Sequence, residues 1–127
     1  MGQYLIDNNV ISDFFMVSYS TKAMQFVSDV IDRMPNISVI TEIEALSWKA
    51  PNKVYEEIID EFVASANILP LSRKVVAECV KIRRQKRIKT PDAIIAATAI
   101  VHNLTLMTND SGFKNIPNLN TVNPFEI

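Results

Sequence analysis

Apolar positions recur along this chain with two different periods. Ala23, Phe26, Val27, Val30, Ile31 and Met34 fall three and four residues apart, which predicts an amphipathic helix over 21–34 with Lys22, Asp29, Asp32 and Arg33 outward. Val54, Tyr55, Ile58, Ile59, Phe62 and Val63 do the same over 53–64, and Val75, Val76, Cys79 and Ile82 over a helix capped by Ser72 and ending near Arg87. Between these stand short apolar runs of strand character. The first is 3–6, ending in Asp7; the second is 37–40, β-branched at 37, 39 and 40; the third is 67–71, weakened by Pro70; the fourth is 104–108. Residues 120–122 are a further edge-strand candidate.

The remaining elements follow from punctuation. Asn8 and Asn9 read as a turn before a short helix over 10–16, which offers Ile11, Phe14 and Phe15 for burial. Pro35 and Asn36 stop the second helix, and Thr41 reads as the cap of a helix over 42–48 that Ala50, Pro51 and Asn52 break. Thr90 as cap and Pro91 at the first helical position open a helix to about His102, in which Ala93, Ala96, Ala97 and Ala99 permit close approach to a sheet. Strands alternating with helices imply a parallel sheet covered on both faces: an α/β fold, three layers α/β/α, with four to five strands. The 127 residues suit a single domain, 1–127, without repeats, low-complexity segments or linkers.

Composition narrows the classes. The chain is 48% hydrophobic and 21% charged, ordinary for a soluble globular protein, and no apolar run approaches the ~18 residues of a membrane span. The start has no basic segment of a signal peptide, and Gly2 is not followed by the Ser or Thr at position 6 that myristoylation uses. A lone Cys79 rules out an internal disulfide and a Cys-rich zinc site, so a reducing, cytoplasmic setting is expected. With two glycines there is no phosphate-cradling Gly loop, and Ser12 lacks the base and oxyanion signature of a serine hydrolase.

The net charge is −1, but the distribution is uneven. Residues 72–89 hold eight of the thirteen basic residues against one acid, Glu78, and run directly into Asp92. Residues 54–64 carry the opposite sign. Both can be solvated helix faces. The functional use of the basic one is contact with a phosphate backbone, led by Arg83, Arg84 and Lys86, with docking of an acidic partner segment as the competing use.

Four carboxylates carry the candidate chemistry. Asp7 ends the first strand, Glu44 lies in the first turn after the second, Asp92 opens the alanine-rich helix, and Asp110 ends the fourth strand. In a parallel sheet these positions share one edge. Each has a local explanation as cap or turn residue, Glu44 as the partner of Thr41 in a capping box. Together they place like charges on one spot, which repel unless a cation sits among them. An all-oxygen donor set favours Mg²⁺ or Mn²⁺ over zinc, and such an ion suits phosphodiester hydrolysis. Asn9, Ser38 and Thr108 are expected to hydrogen-bond the acids from behind.

The order Y-L-I-Asp7-N-N-V-I-S, then S-V-I-T-E-I-Glu44, then T-P-Asp92-A-I-I-A-A-T-A, then L-M-T-N-Asp110-S-G-F resembles a PIN domain. More narrowly, it is similar to the toxin subunits of VapBC-type toxin–antitoxin pairs, over nearly the whole chain. The resemblance implies a metal-dependent ribonuclease of small α/β/α fold that holds Mg²⁺ or Mn²⁺ on Asp7, Glu44, Asp92 and Asp110. It also implies an RNA substrate, a small antitoxin partner and a homodimer. Asn8 stands where the family's first motif has Thr, while Asn9 keeps the family's Asn. Glu42 rivals Glu44 as the second acid; Glu44 falls three residues after Thr41, the spacing that the resemblance implies, and is preferred.

Other residues have mostly structural readings. His102, the lone histidine, sits at the helix end remote from Asp92, and Cys79 belongs to an apolar stripe. Trp48, Phe14 and Phe15 suit either the core or a partner surface. Two other functions stand against the nuclease: a catalytically silent PIN-like binding domain, and a receiver-type signalling domain. The receiver needs an acceptor Asp after the third strand and a Lys after the fifth, where this chain has Pro70-Leu71-Ser72 and Asn123-Pro124.

Overall fold

The computed structural model describes residues 3–127; Met1 and the Gly2 considered above lie outside them. Five strands, β1 (Tyr4–Ile6), β2 (Asn36–Ser38), β3 (Asn67–Leu69), β4 (Thr105–Met107) and β5 (Thr121–Val122), form one sheet in the order β3-β2-β1-β4-β5. Every pairing is parallel, with Leu5 opposite Asn36 and Leu106, and Asn36 opposite Asn67. Helices α1 (Asn8–Phe15), α2 (Thr21–Arg33), α3 (Val39–Ser47), α4 (Lys53–Ser65), α5 (Arg73–Gln85) and α6 (Thr90–Val101) cover it, with 3₁₀ turns at Ser111–Phe113 and Pro124–Glu126.

Side chains alternate across the strands and so divide the core in two. Leu5 and Leu106 join Val75, Cys79, Ile82, Ile95 and the alanines of α6 on one face. Ile6, Met107 and Ile37 join Val10, Ile11, Val27, Ile59 and Phe62 on the other. Helix α6 is buried almost all round, and Ala93, Ala96, Ala97 and Ala99 have no exposed surface. This is the expected role of its small residues. Helix α3 belongs to both layers, since Ala45 lies in the second core and Ile40 packs against the first.

Several boundaries differ from expectation for identifiable reasons. Asn8 and Asn9 are not a turn but the first two residues of α1, because the Asp7 side chain caps that helix by accepting from the Asn8 N–H. The second strand is Asn36–Ser38, and Val39 and Ile40 are helical despite their β-branching. The cap is Ser38, whose Oγ accepts from the Thr41 N–H at 3.0 Å, so the expected box between Thr41 and Glu44 does not form. Asn36 is not a helix stop but a buried strand residue: its Nδ2 donates to the Tyr4 carbonyl and its Oδ1 accepts from Asn67 Nδ2, tying three strands together. Lys89 rather than Thr90 is the cap of α6, and makes no side-chain capping bond. Pro70 ends β3 at Leu69, as a residue without an N–H should.

Candidate metal centre

The chain runs from β1 outward to β2 and β3, then returns to place β4 on the other side of β1. The reversal lies between β1 and β4, and the crevice beyond the carboxyl ends of those two strands is where open parallel sheets bind ligands. The pairing of β1 with β4 continues one residue further, the Asp7 N–H donating to the Met107 carbonyl at 2.9 Å. Asp7 and Thr108 therefore emerge side by side at the crevice, both buried.

Asp7 is held firmly. Its Oδ2 accepts from Thr108 Oγ1 at 2.8 Å and from Asn9 Nδ2 at 3.0 Å, while Oδ1 accepts from the Asn8 N–H at 2.8 Å. A carboxylate has about four acceptor positions, so Oδ1 retains room for about one more contact. Thr108 Oγ1 also accepts from the Asp110 N–H at 3.0 Å, linking the two acids through one hydroxyl. Asp110 itself lies three residues beyond β4, exposed, capping the 3₁₀ turn with Oδ1 on the Gly112 N–H at 2.8 Å. Asp92 is half-buried in the first turn of α6. Glu44 is in the second turn of α3, not the first, because the helix starts at Val39.

The four acids share one electrostatic field. Burial raises the Asp7 carboxyl above its ordinary range; bonds from Thr108 and Asn8 pull it back, and repulsion from Asp92 and Asp110 pushes it further up. Asp92 is raised by burial and by Asp110, with Lys89 acting the other way. Glu44 is raised by partial desolvation and by repulsion from Asp7 and Asp92. Glu44 is largely open to solvent, and the charges of Asp7 and Asp92 act on it in the same direction as its desolvation. Glu42, two residues earlier, points roughly 200° around the helix from Glu44.

Among the described residues, no three His, Cys, Asp or Glu side chains are gathered tightly enough to hold an ion unaided. A hard cation that retains several of its waters asks for less than a closed protein cage. What the site offers such an ion is a free acceptor position on Asp7, and a positive charge would relieve the repulsion that raises Asp7, Glu44 and Asp92.

Asn9 and Thr108 make the contacts expected of them. Ser38 does not reach the acids; its hydroxyl is spent on capping α3 and on a 3.2 Å bond to Thr41 Oγ1. Arg83 and Arg84 lie in the last turn of α5 and Lys86 caps it, all exposed. Arg83 Nε donates to the Ile88 carbonyl at 3.3 Å, and with Lys86, Arg87, Ile88 and Lys89 it lines a shallow cleft of about 500 Å³. Lys89, at the end of that cleft, is the residue whose charge reaches Asp92, so the basic segment and the acid crevice adjoin.

Three residues escaped sequence reasoning. Asp13 bonds Asn109 Nδ2, Tyr19 OH donates to Asn109 Oδ1 at 3.1 Å, and the Asn109 N–H donates to Asn9 Oδ1 at 3.1 Å. The available signal was the four-residue spacing of Asn9 and Asp13, which becomes one helix face once α1 begins at Asn8. Of the residues with structural readings, Cys79 is buried in the first core, and Phe14, Phe15 and Trp48 pack half-buried against the second. His102 caps the far end of α6, roughly 15 Å of helix from Asp92.

The profile of the PIN domain matches residues 4–119. The chain belongs to the PIN-domain family. It is 30% identical over 122 residues to Toxin FitB of Neisseria gonorrhoeae (strain ATCC 700825 / FA 1090), covering 85% of this chain and 88% of that protein. It superposes on a chain of a toxin–antitoxin complex from Klebsiella pneumoniae with a TM-score of 0.76 at 30% identity, covering 98% of this chain and 99% of that one. It has the same fold as a chain of VapBC2 from Rickettsia felis, in a structure bound to a promoter DNA fragment (TM-score 0.74, 23% identity, 94% and 97% covered).

Proposed function

We propose that this protein is a metal-dependent endoribonuclease, the toxin of a toxin–antitoxin pair, acting in the cytoplasm. The observation that supports the reading best is the raised state of three of the four acids: burial, and repulsion within the set, hold Asp7, Glu44 and Asp92 above the ordinary carboxylate range, with Asp110 acting on Asp7 and Asp92. Family membership and the likeness to Toxin FitB support the toxin role. The four acids would hold Mg²⁺ or Mn²⁺, which when bound supplies polarisation of a phosphodiester and acidification of water. The protein's own residues do the rest. Asn9 and Thr108 fix the Asp7 carboxylate, Glu44, open to solvent, orients the attacking water, and Arg83, Arg84 and Lys86 contact substrate phosphates. The partners on this reading are RNA, a small antitoxin that covers the crevice, and a second copy of the chain. Among the described residues no helix is long and apolar enough to cross a membrane.

The receiver reading fails on topology, since that fold orders its strands 2-1-3-4-5 and this sheet is 3-2-1-4-5. The silent-domain reading and the nuclease part on one experiment: cleavage of single-stranded RNA by purified protein with Mg²⁺ or Mn²⁺, with EDTA, and with Asp92→Asn. Cleavage that requires the ion and falls by at least ~100-fold in Asp92→Asn is expected for a transition-state contact. Cleavage indifferent to both excludes the nuclease.

A further inference from the structure

We propose that Asn109 is a positioning residue for the acid crevice: its side-chain amide is clamped between Asp13 and Tyr19, and this clamp fixes the turn that presents Asp110 and steers Asn9 onto Asp7. The inference rests on the nuclease reading for its functional consequence. The hydrogen bonds themselves do not depend on it.

The amide is satisfied on both sides. A carboxylate accepts only, so Nδ2 must face Asp13, and Oδ1 is then left for the Tyr19 hydroxyl, which donates to it. Tyr19 remains a donor at any physiological pH, since burial first, and then the nearby charges of Asp13 and Asp7, push its phenol up to about 12 against the lowering effect of the Asn109 bond. The ring is itself held edge-on to Phe125, 4.6 Å between centroids, so the hydroxyl is aimed by packing. Asp13 is aimed by α1, one turn beyond Asn9 on the same face.

With its side chain locked, Asn109 places its own backbone. Its N–H donates to Asn9 Oδ1, which turns Asn9 Nδ2 towards Asp7 Oδ2 at 3.0 Å and Thr108 Oγ1 at 3.4 Å. The residue before it supplies the hydroxyl shared by Asp7 and Asp110, and the residue after it is Asp110. One amide thus couples the ends of β1 and β4 across the crevice, although it touches neither acid's carboxylate. Groups that orient ligands from behind change metal affinity by about 10- to 100-fold when removed.

The test uses Asn109→Ala, Asp13→Ala, Asp13→Asn and Tyr19→Phe. Two readouts are taken: amide hydrogen exchange at Asp110 and Gly112, and Mn²⁺ affinity by electron paramagnetic resonance. Asn109→Ala and Asp13→Ala are expected to speed exchange at Asp110 and weaken Mn²⁺ binding by about 10-fold or more. Asp13→Asn keeps an acceptor for Asn109 Nδ2 and should stay within about 3-fold of the parent on both. Tyr19→Phe keeps the ring against Phe125, removes one bond and should fall between, so it decides the matter if the alanine variants do not fold. Exchange and affinity unchanged in Asn109→Ala and Tyr19→Phe overturn the proposal, as does Asp13→Asn failing as badly as Asp13→Ala. A parent protein that binds no Mn²⁺ sinks the nuclease reading instead, and the exchange rates then still decide whether Asn109 sets the turn.

Discussion

Gly112 shows how closely single residues are fitted around the acids. A Cβ at this position would lie 3.1 Å from Asp110 Oδ1, the oxygen that accepts from the Gly112 N–H. The constraint is one of space. Gly112→Ala is therefore expected to shift the Asp110 carboxylate by a few tenths of an ångström and slow RNA cleavage by up to about 10-fold, less than the roughly 100-fold of a 1 Å misplacement. Its melting temperature should stay close to the parent's, because Gly112 itself is exposed and the buried anchor of the turn, Phe113, is untouched. Cleavage at the parental rate would show that Asp110 is not held to that precision. At this scale the sequence was most legible for acids at element ends. Asp7, Asp92 and Asp110 stand where strand exits and helix entrances can be read from period and punctuation. The cluster of Asp13, Tyr19 and Asn109 could not be read, because Asn109 lies 96 and 90 residues from the other two along the chain and meets them only when β4 pairs with β1.

Among elements, α3 shows where pattern reasoning gives way. The run Ile37-Ser38-Val39-Ile40 has strand composition, yet the Ser38 hydroxyl captures the Thr41 N–H and starts a helix inside it. Tertiary position outweighs β-propensity here, since Ser38 is fully buried at the crevice end of β2. The earlier start moves Glu44 to the second turn, where the charges of Asp7 and Asp92 still act on it. Ser38→Ala should cost about 1–2 kcal/mol of stability, read as a melting temperature lower by several degrees. No loss would mean that the cap is dispensable. For the end of α5, the local reading of a basic face and the functional one differ in salt dependence. If Arg84 and Lys86 contact single-stranded RNA, removing both lowers the slope of log affinity against log salt by about 1.4. An unchanged slope would leave them as solvated charge.

For the whole molecule, the sheet order was not legible in advance, but its consequence was: acids at strand and helix ends share one edge in any parallel arrangement. The order adds that β1 and β4 are neighbours flanking the switch point, which is why Asp7 and Asp110 can share Thr108. The concentration of like charge has a cost that depends on pH. Asp7, Glu44 and Asp92 are all raised in the folded protein, so folding favours their protonated forms. Their contribution to stability is complete below the ordinary carboxylate range near ~4 and is lost as pH rises through the raised values. Without divalent ion, the melting temperature should fall over that interval more steeply than that of Asp92→Asn, and Mn²⁺ at neutral pH should reverse the fall. Parallel pH profiles for the two proteins would argue against a shared acid field. The most direct measurement is single-turnover RNA cleavage against Mn²⁺ concentration for Asp7→Asn, Asp92→Asn and the double variant. Residues that act as one unit are grossly non-additive. The double variant is expected to be no slower than the worse single variant, with no cleavage in EDTA. Losses that multiply, or cleavage that persists without the ion, would contradict a single metal site built from these acids.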